Sequence, residues 1–105
     1  MIRLLRPSDL DEIESIEKTA HLFPWTKTQL DHHLHYNNLN FGYWDQKEMC
    51  GFIFLQKLFP EAEILNIAVA PIHQGKKIGK ILLMHALSFL EEENYKSVFL
   101  EVRRT

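Results

Sequence analysis

Apolar residues along the chain recur in two spacings, every second position in some segments and every third or fourth in others, and the alternation predicts a mixed α/β chain. Ile2 to Leu5 reads as a short strand stopped by Pro7. Ser8 or Asp9 then caps a helix with Leu10, Ile13, Ile16 and Ala20 along one side, and Glu12 lies in its first turns, where the helix dipole favours a carboxylate. His21 to Pro24 breaks that helix; Thr26 caps a second one, which runs through Leu30 and Leu34 to about Tyr36 and is closed by Asn37 and Asn38. From Phe41 the pattern is that of strands: Asp45-Gln46-Lys47-Glu48 forms a polar turn, and Cys50 to Leu58, rich in aromatic and β-branched residues, completes a hairpin. Past Pro60, the run Ala62 to Ala70 is so apolar around Asn66 that it predicts a central strand covered on both faces. Pro71 ends it, a Gly- and Lys-rich loop follows, and Ile78, Ile81, Leu82, His85, Ala86 and Phe89 predict a long helix reaching about Glu93. Lys96 to Val102 is the last strand. The predicted order is β-α-α-β-β-β-α-β, with the last helix crossing over, right-handed, between two parallel strands.

Composition narrows this picture without changing it. With 105 residues, 46% hydrophobic and 25% charged, the chain is long enough for one core and too short for a second domain, and it is too apolar to be disordered. Its 12 basic and 14 acidic side chains leave a formal charge of -2, which argues against general nucleic-acid affinity. No segment approaches the roughly 20 apolar residues of a membrane span, and the start of the chain turns acidic before a secretory apolar core, so a cytosolic location is expected. Cys50 is the one cysteine, which excludes an internal disulfide and a cysteine-cluster metal site; within MCGFIFL it reads as a small buried thiol rather than a nucleophile.

The segment Asn66 to Lys80 carries the most chemical information. A buried strand feeds a turn with Gly75, Lys76, Lys77, Gly79 and Lys80, which opens a helix. Free N–H groups at a helix start suit a phosphate, and glycines let a ligand approach the main chain; the alternative is a solvated lysine-rich first turn whose glycines serve only the bend. The spacing matches neither a Walker A loop nor G-x-G-x-x-G. His32, His33 and His35 read as a solvated helix face rather than a metal site, and no metal is expected. His85 reads as a core or boundary histidine, Glu91 to Glu93 as a solvated helix end, and Phe23 and Trp25 as core aromatics or as part of a binding groove.

Ile64-Leu65-Asn66-Ile67-Ala68-Val69 followed by Gln74-Gly75-Lys76-Lys77-Ile78-Gly79-Lys80 resembles the acyl-CoA-binding signature Q/R-x-x-G-x-G/A of the GNAT N-acetyltransferases. Asp9-Leu10, Ile16-Glu17, His21-Leu22-Phe23-Pro24-Trp25, Gly51-Phe52, Glu61-Ala62-Glu63 and Leu100-Glu101-Val102-Arg103 are similar to the ribosomal-protein-alanine branch, so the resemblance spans nearly the whole chain. It implies an α/β GNAT-like mixed sheet and an acetyl-CoA-dependent transferase acting on a protein N-terminus, with a ribosomal alanine terminus as substrate. Ile67, Ala68 and Val69 would offer main-chain groups to the pantetheine arm, while Gln74, Gly75, Lys76, Lys77, Ile78, Gly79 and Lys80 would hold the pyrophosphate. Glu101 would be the general base, Asn66 would order a water beside it, and Phe23 and Trp25 would line the acceptor groove. Without the resemblance Glu101 reads as a solvated strand-end carboxylate.

Two departures from the family pattern bear on these expectations. Lys77 stands where the signature has its middle glycine, which matters if the position requires a positive φ. The family also continues past the position of Thr105 with a cofactor-contacting Asn, a helix bearing a Tyr acid and a strand pair. The resemblance therefore implies a shortened domain lacking its last helix and strand pair, with no assignable general acid and with a last strand exposed for pairing with a second copy. The alternative reading is a catalytically impaired remnant that binds CoA or serves as a structural or dimeric fragment.

Overall fold

The computed structural model describes residues 1–36 and 38–100, and its elements follow the predicted order. They are β1 (Ile2–Leu4), α1 (Leu10–Ala20), α2 (Lys27–His35), β2 (Asn38–Asp45), β3 (Glu48–Leu58), β4 (Glu61–Val69), α3 (Ile78–Glu92) and β5 (Ser97–Leu100), with 3-10 turns at Pro7–Asp9 and Pro71–His73. The five strands lie in one sheet in chain order; β1 to β4 are antiparallel neighbours, and β5 runs parallel to β4 after the α3 crossover. This is the mixed α/β sheet expected from the sequence. The last strand was expected to reach Val102; Glu101 and Val102, like Asn37, lie outside the described residues.

Both faces of the sheet are covered. Ile13, Ile16 and Leu30 of α1 and α2 pack with Trp44, Met49, Phe52, Phe54, Leu65 and Ala68 on one face. Ile78, Leu82, Ala86 and Leu90 of α3 pack with Phe41, Cys50, Ile53, Leu55, Ala62 and Ile64 on the other. Each fully buried side chain of this size contributes about 1.5–3 kcal/mol of transfer free energy. Cys50 is fully buried, as expected, and desolvation pushes its thiol above the ordinary range. His85 departs from expectation: it is exposed at the rim of α3, with its ring edge-on to Phe41 at 4.7 Å.

Strand β4 contains an extra residue. Phe54 of β3 pairs with Asn66 while the next residue, Leu55, pairs with Ile64, so Leu65 is left as a bulge. Leu65 packs on the α1 face, and Asn66, next in sequence, also meets α1, where its amide bonds Glu17 and His21. Ile67 and Val69 pack toward α3 and Ala68 toward α1. Among the described residues the pairing with β5 covers Glu61 to Ile64.

At the other end of α1, Asp9 has a different role from the one expected. It precedes the helix but makes no side-chain cap; its carboxylate accepts the Arg6 N–H at 2.7 Å and both Arg3 guanidinium nitrogens at 3.0 Å, and Arg3 lies 3.9 Å over the Trp44 ring. The pair clamps β1 to the entry of α1. Thr26 does cap α2, in a reciprocal box with Gln29. Burial works to raise the Asp9 carboxyl, but the Arg3 and Arg6 hydrogen bonds and charges outweigh it and hold the pKa below its ordinary value. A carboxyl lowered on folding contributes stability that is full above its unfolded pKa of about 3.9 and is lost as the pH falls through the folded value. Asp9→Asn should cost about 1–3 kcal/mol near pH 7, and urea unfolding should show the gap from the parent closing toward pH ~3.

Candidate active site

The turn before α3 is shaped by two left-handed residues, Gly75 with φ 86° and Lys77 with φ 64°. Lys77 is thus a side-chain-bearing residue in the region that glycine occupies freely, which answers the question its position raised in the sequence. Lys77 begins the helix, its carbonyl accepting the Ile81 N–H at 3.0 Å, so the N–H groups of Ile78, Gly79 and Lys80 have no intrahelical partner. A Cβ built at Gly75 would meet nothing within 4 Å, so the turn is open on that side. A concavity of about 300 Å³ lies here, lined by Val69, His73, Gln74, Gly75, Lys77, Ile78 and Gly79. The Gln74 side chain donates to the Val69 carbonyl at 3.1 Å and ties this turn to the end of β4. Lys76 turns aside to His73 Nδ1, 3.2 Å away, while Lys80 is exposed.

A second concavity, about 340 Å³, is lined by Ala20, His21, Ile67, Ala68, Val69, Gln74 and Gly79. It shares Val69, Gln74 and Gly79 with the first, so the two adjoin along the outer half of β4. Among the described residues this half of β4 is paired on its β3 side alone. An extended chain laid there would find main-chain groups spaced as for an added strand.

The inner end of this trough rests on a buried carboxylate. Glu17, fully buried on α1, accepts the Trp25 N–H at 2.8 Å and the Asn66 side-chain amide at 2.9 Å. Asn66 in turn receives His21 Nε2 on its carbonyl at 2.9 Å, and the same nitrogen lies 3.6 Å from Glu17. Glu17 falls at the fourth residue after Ile13, inside the apolar stripe of α1, which is the sequence signal for its burial. Neither it nor His21 is assigned a role by the motif pattern, although both lie in segments that carry the resemblance.

The remaining candidates are divided between surface and core. Phe23 is 59% exposed, whereas Trp25 is half-buried, stacked on His33 at 4.7 Å and edge-on to Phe54 at 5.8 Å. Glu101 lies outside the described residues. Among the described residues no group of three or more His, Cys, Asp or Glu side chains is placed to hold a metal, and no helix is long and apolar enough to cross a membrane.

The acetyltransferase (GNAT) family profile matches residues 10–105, a span that includes both concavities' strand and helix start. The chain belongs to that family and is an N-acetyltransferase. A relative from Haemophilus influenzae, a [ribosomal protein bS18]-alanine N-acetyltransferase, is 31% identical over 105 residues, covering all of this chain and 72% of its own. The crystal structure of the ribosomal-protein-S18-alanine N-acetyltransferase from Escherichia coli matches with TM-score 0.94 at 33% identity, over all of this chain and 68% of that one. The PaiA N-acetyltransferase from Thermoplasma acidophilum, solved with coenzyme A, shares the fold with TM-score 0.86 at 22% identity, over all of this chain and 80% of its own.

The left-handed Lys77 leads to a stability prediction. Lys77→Gly relieves a Cβ conflict and adds backbone entropy to the unfolded chain, and the first outweighs the second by about 0.5–1 kcal/mol. The urea midpoint should rise accordingly.

Proposed function

We propose that this chain transfers the acetyl group of acetyl-CoA to the α-amine of a protein N-terminus, an N-terminal alanine of a ribosomal protein, as its relatives are named for doing. The observation that carries this reading is the adjoining pair of concavities, which joins the start of α3, with its free N–H groups, to the outer half of β4. The geometry fits the ligand. The open side of Gly75 admits phosphate oxygens to the N–H groups of Ile78, Gly79 and Lys80, and Lys77 on the rim adds positive charge. From Val69 back to Asn66 is about 10 Å of extended strand; the main-chain groups of Ile67 and the Val69 N–H point away from β3 and can pair with the amides of the pantetheine arm, while those of Ala68 face β3. Gln74 holds the end of that strand against the turn.

Acetyl-CoA supplies a thioester whose carbonyl carbon an amine attacks directly. The protein must present a neutral amine there. Glu101, following the last described residue of β5, is the proposed base that removes the ammonium proton, and Asn66, next to the bulge, marks the strand position where the reacting groups meet. Exposed Phe23 is the aromatic available to meet an acceptor chain, and half-buried Trp25, anchored on His33 and Phe54, lies two residues on in the same loop. Cys50 is buried with a raised thiol pKa, which favours direct transfer over a covalent acyl-enzyme.

Calorimetric titration with CoA should give a binding heat that weakens with added salt, as expected where charge contributes. Silence at millimolar CoA would sink the reading. Glu101→Gln should lower turnover on an alanine-initiated peptide by about 10²–10⁴-fold while leaving CoA affinity unchanged. Unaltered turnover would remove Glu101 from the mechanism.

A further inference from the structure

The hydrogen bonds around Glu17 dictate a protonation pattern. A carboxylate only accepts, so the Asn66 atom 2.9 Å from Glu17 is its amide nitrogen, and the atom facing His21 is its carbonyl oxygen. That oxygen also only accepts, so His21 Nε2 must carry a hydrogen. In the neutral imidazole the other nitrogen, Nδ1, is then a lone pair, and among the described residues it makes no hydrogen bond. The ring is 24% exposed and lines the concavity with Ile67, Ala68 and Val69, beside the Asn66 to which it is bonded. The Glu17 charge, 3.6 Å from Nε2, polarises the imidazole toward a stronger acceptor at Nδ1. The fold thus commits a buried carboxylate and an asparagine to orienting one histidine, whose ring lines the trough and whose second nitrogen is left as an acceptor.

We propose that His21 Nδ1 receives a hydrogen bond from the α-ammonium of the incoming N-terminus, and that Glu17 and Asn66 fix the imidazole in the tautomer that makes this possible. The assignment rests on the acetyltransferase reading given above. An α-ammonium has three N–H groups: one is held by His21, one proton leaves to the base, and the lone pair so exposed is aimed by the hydrogen bond that remains. His21 touches the substrate; Glu17 and Asn66 act through it as positioning residues. The site would accordingly reject an N-terminus that lacks a free amine.

The test compares binding of an alanine-initiated peptide and its desamino analogue, which lacks only the amine, to the CoA-loaded protein. The parent should prefer the free amine by about ten- to hundredfold, as for a hydrogen bond to a charged group. His21→Gln keeps a side-chain N–H for the Asn66 carbonyl and removes the imidazole Nδ1, so it should lose that preference, raise KM for the acceptor by a similar factor and leave KM for acetyl-CoA in place. Nitrogen-15 spectra of the parent protein should show His21 protonated at Nε2, with a Nδ1 signal that moves when the alanine peptide is added and stays when the desamino peptide is added. That measurement decides the matter even if the variant fails to fold. A retained amine preference in folded His21→Gln, or a Nδ1 signal indifferent to the amine, overturns the assignment while the parent still acetylates. A parent that neither binds CoA nor acetylates overturns this assignment and the acetyltransferase reading together.

Discussion

Side chains of a strand point to alternate faces, so a single inserted residue reverses every position after it. In β4 that residue is Leu65, and the reversal turns Asn66 from the α3 side to the α1 side, under Glu17 and His21. A regular strand would aim the Asn66 amide into the apolar cluster beneath α3, where nothing polar would meet it. The inward-facing polar side chain of the site therefore comes from one irregularity.

Glu17 extends this constraint to the helices. Taking a carboxylate out of water costs several kcal/mol unless its oxygens are met by donors. Here they are met by two separate parts of the chain, the Asn66 amide on β4 and the Trp25 N–H in the loop after α1, while His21 at the end of α1 bonds Asn66 and lies 3.6 Å from the carboxylate. The loop bearing Phe23 is held between two of these contacts, so its path across the sheet depends on the charge beneath it. These residues share one network of contacts, so they behave as a unit rather than as separate contributors.

Much of the fold was legible in the sequence because its signals were local. Thr26 with Gln29 marked the start of α2, and Pro71 and Pro7 marked the ends of strands as expected. The candidate site was legible at the turn before α3, where Gly75 to Lys80 form a contiguous motif beside a concavity. The rest of it was not. The run Ala62 to Ala70 is apolar on both faces, so it has no alternation in which a bulge would show, and the facing of Asn66 could not be read. The partnership of Glu17, His21 and Asn66 joins positions 45 and 49 residues apart, and Asp9, read as a cap, is drawn instead to Arg3 by tertiary contact. Such pairings depend on how helices settle on the sheet, which single-segment patterns do not encode.

The one cysteine has a practical consequence for labelling. Cys50 is enclosed between the sheet and α3 with its thiol held protonated, so it is a poor target for maleimide or iodoacetamide reagents in the folded state. A second cysteine introduced at an exposed position of the loop after α1, such as Leu22, would then be the thiol that a fluorophore reaches. The native protein therefore already has the chemically silent background that site-directed spectroscopy of the loop requires.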